Sequence, residues 1–267
     1  MPARVSAAEA GRNPLKRRLA AGETVAAAWL ELNSPDVAEI MVRAGWDVLV
    51  IDCEHGTFGL EEGLRLIRAV EAAGGTAIVR VPDGQPTTLK RALDRGARSL
   101  IVPMVMDAAE AEAVAAACLY PPRGRRGWAA PIAACSGFGA WEDYTRGAAD
   151  ELLLMVQVEH QAAIAEVEAI AAVPGVDMIF IGPNDLAGSV GRLEQLTHPD
   201  VAAMLSQIEE RAGAAGTMLG TIEGEGRDPA ALAALGYTLI VAPNDVSLLF
   251  GAAREAALRR DRSLGRS

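Results

Sequence analysis

An α/β fold, a single (β/α)8 barrel of the TIM type, is what the sequence predicts, and three observations lead there. Eight short apolar runs alternate with longer segments of helical period, the sign of βα units around a parallel sheet. Runs such as Val48-Leu49-Val50-Ile51 and Met178-Ile179-Phe180-Ile181 are continuous rather than alternating, as parallel strands covered on both faces are. Eight such repeats in 267 residues match the barrel in count and length. A doubly wound open sheet, the alternative, uses fewer strands and a Gly-rich first turn that is absent.

The expected strands cover residues 24–32, 46–52, 76–80, 99–103, 152–159, 178–182, 217–221 and 237–242. Ser34 before Pro35 reads as an N-cap with proline at the first helical position, and His198 before Pro199 opens a later helix in the same way. Gly45, Gly96, Gly216 and Gly236 close helical segments just before strands. Residues 120–150, rich in proline, glycine and tryptophan, break the period and read as a long βα insertion shaping the barrel mouth. Residues 246–262 read as a last amphipathic helix with Leu248, Leu249, Ala252 and Ala256 as its apolar stripe. The resulting plan is a flexible segment over 1–14, one barrel domain over 15–262 and a frayed tail over 263–267.

Composition narrows the function. With 51% hydrophobic residues the chain can bury a large core, and its net charge of -10 and pI of about 4.9 argue against nucleic acid or anionic lipid as partner. A small molecule is the expected partner. Cys53, Cys118 and Cys135 form neither a zinc pattern nor a disulfide framework, which points to a reducing, cytoplasmic compartment. No apolar run reaches membrane-spanning length, and the basic N-terminal segment lacks a signal-peptide core. Its Ala- and Arg-rich composition leaves an organelle-transit segment as an alternative, against which Glu9 counts.

In such barrels the reactive groups sit at the C-terminal strand ends. Here the second strand ends in Asp52-Cys53-Glu54-His55-Gly56, the third in Arg80, the fifth in Gln157 and Glu159, and the sixth runs into Gly182-Pro183-Asn184-Asp185. Burying such a set costs several kcal/mol unless a function or an ion compensates it. Glu159 and Asp185 are candidates for holding a hard divalent cation, magnesium or manganese; singly, each could instead pair with an arginine or cap a turn. Asp52, three residues before His55, is placed to orient its imidazole for acid/base work, against a plain loop histidine. Arg80 offers a planar fork to an enolate or carboxylate oxygen, or else pairs with Asp52 or Glu54. His160 and His198 read as structural. Arg123, Arg125 and Arg126 could bind a distal phosphate or carboxylate, although a solvated loop fits them better.

Exclusions sharpen this set. No P-loop, dinucleotide fingerprint, zincin helix or G-x-S-x-G elbow is present, so NAD has no signature. Lys16 precedes the first strand and Lys90 falls in a helical stretch, so neither lysine can form a Schiff base or anchor pyridoxal phosphate (PLP) in the site. A carbanion beside a carbonyl would then need a metal as Lewis acid.

The ordered fragments Gly45-Trp46-Asp47, Ile51-Asp52-Cys53-Glu54-His55-Gly56, Val79-Arg80-Val81-Pro82, Val102-Pro103-Met104-Val105, Tyr120-Pro121-Pro122, Arg126-Gly127, Val156-Gln157-Val158-Glu159 and Phe180-Ile181-Gly182-Pro183-Asn184-Asp185-Leu186 resemble the HpcH/HpaI aldolases. These are metal-dependent class II pyruvate aldolases, and the resemblance extends from about Leu15 to Arg260. It implies a carbon–carbon lyase that cleaves or forms 2-oxo acids from pyruvate and an aldehyde through a metal-stabilised enolate. It further implies that Glu159 and Asp185 bind Mg²⁺, Mn²⁺ or Co²⁺, that Arg80 stabilises the enolate and that His55, oriented by Asp52, moves protons. Gln157 would line the pyruvate pocket, and the amides of Asn184 and Asp185 would hold its carboxylate. A homohexamer, with the last helix on a neighbouring barrel, is implied as well. An acyl-CoA lyase, an oxaloacetate decarboxylase and a non-enzymatic barrel subunit are the alternatives. The chain departs from the resemblance at Ala133-Ala134-Cys135-Ser136 and at Val241-Ala242-Pro243-Asn244-Asp245, both expected at the substrate mouth.

Overall fold

Each of the eight apolar runs forms a strand, and the strands pair in parallel, in chain order, into a closed barrel. The structure, a computed structural model, describes residues 11–266. Among them the strands are β1 (Val25–Leu30), β2 (Val48–Asp52), β3 (Thr76–Arg80), β4 (Ser99–Val102), β5 (Leu153–Val158), β6 (Met178–Ile181), β7 (Met218–Ile222) and β8 (Tyr237–Asn244). The helices are α1 (Pro14–Ala20), α2 (Pro35–Arg43), α3 (Leu60–Ala72), α4 (Pro86–Asp94), α5 (Ala108–Cys118), α6 (Tyr144–Glu151), α7 (Val167–Ala171), α8 (Pro183–Gly188), α9 (Pro199–Ala215), α10 (Pro229–Ala234) and α11 (Asp245–Ser263). The expected caps are present: Ser34 Oγ accepts from the Val37 N–H at 3.3 Å, and His198 Nδ1 from that of Asp200 at 3.2 Å. Gly45, Gly96, Gly216 and Gly236 all have positive φ, as helix-closing glycines do.

Side chains alternate across each strand and sort the core into two layers. Val25, Val48, Ile78, Ile101, Leu153 and Met178 belong to the inner cluster, while Ala28, Leu49, Val79, Leu100, Leu154 and Ile179 pack outward with the helices. The barrel interior is solid. Gly220 contributes by lacking a side chain, because a Cβ there would lie 2.8 Å from both Met178 Sδ and Phe180 Cδ2.

The N-terminal segment differs from expectation. Residues 1–10 lie outside the described residues, but Asn13 is buried and caps α1, its Nδ2 donating to Arg98 O and Ser99 Oγ at 3.0 Å each. Leu15 and Leu19 of α1 join the inner cluster, so this helix closes the barrel floor. Lys16 is held there by Asp177 at 2.8 Å, on the first turn's side of the barrel and away from the mouth.

The 120–150 insertion also differs. It follows helix α5 and leads into β5, so it is an αβ connection at the N-terminal face rather than a βα loop at the mouth. Arg126, buried within it, pairs with Asp94 at the end of α4 at 2.6 Å and lies 4.4 Å over the Tyr120 ring. Helix α11 buries little besides Asp245 and leaves Leu249 and Phe250 exposed. Among the described residues no helix is long and apolar enough to cross a membrane.

Filling the space above Gly220 overpacks the inner layer against a rigid ring. Gly220→Ala is expected to destabilise the barrel by about 1–3 kcal/mol, read as a lower urea midpoint with unchanged slope.

Candidate active site

The alternation that fills the barrel with apolar side chains continues, at the C-terminal strand ends, with polar ones. Following Val48 and Val50, Asp52 is the next inward position of β2; following Ile78, Arg80 is that of β3. The two are register partners, which sets them side by side. Arg80 Nε donates to Asp52 Oδ1 at 2.9 Å and Nη2 to Oδ2 at 2.6 Å, a bidentate pair. Asp52 is fully buried and the Arg80 side chain 11% exposed. Arg80 Nη1 lies 3.2 Å from Glu54 Oε2, and its guanidinium stacks 4.4 Å over Trp29. Burial opposes the Arg80 charge, but the bonds and charges of Asp52, Glu54 and Glu159 raise its pKa above the ordinary value.

Asp52 does not reach the His55 imidazole. Its Oδ1 accepts the main-chain N–H groups of Glu54 and His55 at 3.1 and 3.2 Å, so it shapes the loop instead of the ring. The reason is that both oxygens are already engaged by Arg80. The imidazole, 63% exposed at the mouth, has Glu54 Oε2 as its nearest carboxylate, 3.8 Å from Nε2.

Across the barrel, Gln157 and Glu159 continue the inward face of β5. Glu159 is buried, its Oε1 accepting from Met104 N at 2.8 Å and its Oε2 from Gln157 Nε2 at 2.6 Å. Burial pushes its pKa up to about 7, with the Asp185 and Glu54 carboxylates adding to the rise and the Met104 N–H and Arg80 opposing it. Met104 takes φ 55°, a left-handed backbone unusual for a side-chain-bearing residue, and its N–H is the one that meets Glu159. Gln157 Oε1 is buried without a partner. Gly182, the next inward position of β6, leaves the room that Glu159 occupies: a Cβ there would sit 2.2 Å from Glu159 Oε2. Pro183 then starts α8, placing Asn184 and Asp185 in its first turn, exposed at the rim.

These groups surround one cavity of about 350 Å³, and every expected site residue except the fully buried Asp52 lines it. Sequence reasoning missed Trp29, Glu31, Phe180 and Ile222 in its wall. The signal was available, since Trp29 and Glu31 extend the Val25, Ala27 alternation of β1. Of the two departures from the family resemblance, Asn244 lines the cavity and residues 133–136 do not. Asp245, beside Asn244, is buried and accepts the N–H groups of Glu31, Leu32 and Val246 at 3.0, 3.0 and 2.9 Å.

The arginine cluster is elsewhere. Arg126 is committed to Asp94 and Tyr120, Arg123 lies 3.3 Å from Asp150, and Arg125 lines a separate cleft between the β3 and β4 loops. His160 and His198 accept main-chain N–H groups as caps, the structural role expected of them.

A closed parallel barrel whose mouth carries a fixed guanidinium facing two carboxylates across one cavity has its polar groups where barrel enzymes hold their reactive groups. The chain belongs to the HpcH/HpaI aldolase/citrate lyase family, whose model matches residues 26–251. It is 39% identical over 245 residues to the hydroxypyruvate/pyruvate aldolase of Cupriavidus necator, covering 92% of this chain and 91% of that one. To the 2-dehydro-3,6-dideoxy-6-sulfogluconate aldolase of Pseudomonas putida it is 36% identical over 227 residues, covering 85% and 89%. Among solved structures, an HpcH/HpaI aldolase/citrate lyase family protein from Burkholderia cenocepacia superposes with a TM-score of 0.86 at 38% identity, covering 94% of this chain and 99% of that one. The chain is an aldolase.

Gly182→Ala tests whether the room left for Glu159 matters. Displacing that carboxylate by about 1 Å should lower kcat/KM for aldol cleavage by about a hundredfold while circular dichroism stays native. Near-normal kcat/KM would show that the placement of Glu159 is not required.

Proposed function

We propose that the chain catalyses reversible aldol cleavage of a 2-oxo acid, releasing or using pyruvate, or a close analogue, and an aldehyde. The observation that carries this reading is the Asp52-held guanidinium of Arg80 facing, across one small cavity, the buried Glu159 and the rim carboxylate of Asp185. The relatives' names as pyruvate and 2-oxo acid aldolases support it.

The Glu159–Asp185 pair fits a divalent cation. Both donors are carboxylates, Gly182 leaves the space that Glu159 occupies, and the upward shift of Glu159, caused first by burial and then by the nearby Asp185 and Glu54 carboxylates, is of the sign that a cation would reverse. Among the described residues no third His, Cys, Asp or Glu joins them, which suits Mg²⁺ or Mn²⁺, ions that keep several positions for water and substrate. When bound, such an ion supplies Lewis-acid polarisation of the 2-oxo group.

The chain's own groups do the rest. Arg80 is locked in two dimensions by Asp52 and over Trp29, so it presents its donors to a developing enolate oxygen without reorganising. His55 stands exposed at the rim and serves as the acid/base, with Glu54 3.8 Å from its Nε2 and Asp52 fixing the loop that carries it. Gln157 and the first-turn amides of Asn184 and Asp185 bind the substrate carboxylate end. We also infer a homo-oligomer, a hexamer by family resemblance, because Val246, Leu248, Leu249, Phe250 and Leu258 of α11 are left exposed. The three unpaired cysteines, all buried, favour a reducing, cytoplasmic setting.

With Mg²⁺ or Mn²⁺ in D₂O, the protein should exchange the methyl protons of pyruvate for deuterium, followed by NMR, and chelation should stop it. Glu159→Gln should abolish the exchange and His55→Ala slow it by about two orders of magnitude. Exchange no faster than the metal-only control would reject the pyruvate reading. Arg80→Lys should bind metal normally but lose most of kcat, since a point charge cannot replace the held fork.

A pH dependence follows from Glu159. Its folded pKa of about 7 lies above the ordinary 4.5, so its contribution to stability is fully present below about 4.5 and is lost as pH rises through 7. Without metal, the Tm of wild type relative to Glu159→Gln should therefore fall from pH 5 to pH 8. Added Mn²⁺ should raise the wild-type Tm more at pH 8 than at pH 6, because protons no longer compete. A pH-independent Tm difference would exclude Glu159 as the titrating group.

A further inference from the structure

Three charged groups at the cavity have their opposites accounted for: Arg80 has Asp52, and Glu159 and Asp185 are the pair suited to a cation. Glu31 is not accounted for. It is the inward position of the β1 face after Trp29 and lines the cavity beside His55. Its main chain is fixed on both sides, the N–H by Asp245 Oδ1 at 3.0 Å and the carbonyl by Thr57 N and Oγ1 at 2.9 and 3.0 Å. Its side-chain carboxylate has no partner among the described residues. Burial raises its pKa, with Asp52 and Asp245 adding and Arg80 and His55 opposing.

The position of Glu31 says which reactant it meets. In a closed barrel of eight strands in chain order, β1 lies opposite β5, and Glu159 directly follows β5. A 2-oxo acid held on the β5–β6 side leaves the β1 side, with Glu31, His55, Ile222 and Asn244, for the second reactant. That wall is chemically specific. Asn244 Oδ1 is occupied by Ser247 N at 2.6 Å, which leaves its Nδ2 as a donor, while Glu31 is an acceptor. A donor and an acceptor together match a hydroxyl group. Among the described residues Arg80 and His55 are the only basic side chains that line the cavity, and the arginines that the sequence offered for a distal anion lie outside it.

We propose that Glu31 selects uncharged, hydroxyl-bearing aldehydes as the aldol partner and rejects aldehydes that carry a carboxylate, phosphate or sulfonate. This rests on the pyruvate aldolase reading above. The carboxylate acts by repulsion, the element that specificity needs when attraction alone does not discriminate.

The experiment compares kcat/KM for D-glyceraldehyde and for succinic semialdehyde, with pyruvate as donor and Mg²⁺ present. Wild type should favour glyceraldehyde by about tenfold or more. Glu31→Gln should raise kcat/KM for succinic semialdehyde by about tenfold without a matching gain for glyceraldehyde, and Glu31→Lys should raise it further. A gain of activity toward one acceptor is an outcome that loss of a merely structural residue does not give, and the ratio within one variant is independent of its folded fraction. Glu31→Ser replaces Glu31→Gln if the latter is insoluble. Pyruvate deuterium exchange by wild type needs no aldehyde and separates the two ideas. With exchange present, a wild type that prefers succinic semialdehyde, or an acceptor ratio unmoved in both variants, overturns the role of Glu31 alone. Absent exchange overturns the pyruvate reading and this role with it.

Discussion

The bidentate bond between Asp52 and Arg80 is the interaction around which the mouth of the barrel is organised. Both groups are removed from water, and an isolated charge there would cost several kcal/mol, so neither side chain is stable in place without the other. The pair exists because β2 and β3 align Asp52 with Arg80 in register, both on the inward face. One carboxylate then does three things: it holds the guanidinium in a plane, presses it over Trp29, and gathers the N–H groups of Glu54 and His55 into a turn. Removing Asp52 would release the arginine and the histidine loop together, which is why its role is positional even though it touches no open space.

The opposite wall obeys a different constraint, that of volume. Glu159 is buried among groups of its own sign, and its place depends on Gly182 having no side chain and on Met104 adopting a left-handed backbone to deliver an N–H. Strain and crowding of this kind persist only where surrounding structure enforces them. The contrast between the walls is chemical: on one side Asp52 and Arg80 form a bidentate ion pair, on the other Glu159 is held by the Met104 N–H and the Gln157 amide. The cavity therefore has preformed donors on the Arg80 side and buried carboxylate and amide groups on the Glu159 side.

Most of the barrel was legible because parallel strands buried on both faces have a sequence signature, and because Ser34, His198 and the four closing glycines punctuate the helices. The strand-end polar residues were legible for the same reason, since a charged group immediately after an apolar run has nowhere to point but the mouth. What sequence could not supply was handedness of placement. Asp52 and His55 are three residues apart, but the intervening turn directs the carboxylate to Arg80 and the main chain, away from the imidazole. The 120–150 insertion was assigned to the wrong end of the barrel because its preceding helix, poor in amphipathic contrast, gave no clear boundary. Helix α1 went unread as well: a seven-residue helix with two core leucines is too short to show a period.

The last helix links the site to the outer surface through Asp245. Its carboxylate sits at the start of α11 and accepts N–H groups from Val246 on that helix and from Glu31 and Leu32, which directly follow β1. The same bonds that fix the acceptor wall thus anchor the helix that carries the exposed Leu249 and Phe250. Such anchoring is needed because α11 gains little stability from packing on its own barrel: its only buried residue is the aspartate itself. A buried carboxylate that accepts three N–H bonds offsets its own desolvation and ties the first turn of α11 to the barrel. Asp245 thereby couples α11 to the end of β1, the strand that presents Trp29 to Arg80 and leads into Glu31 at the cavity.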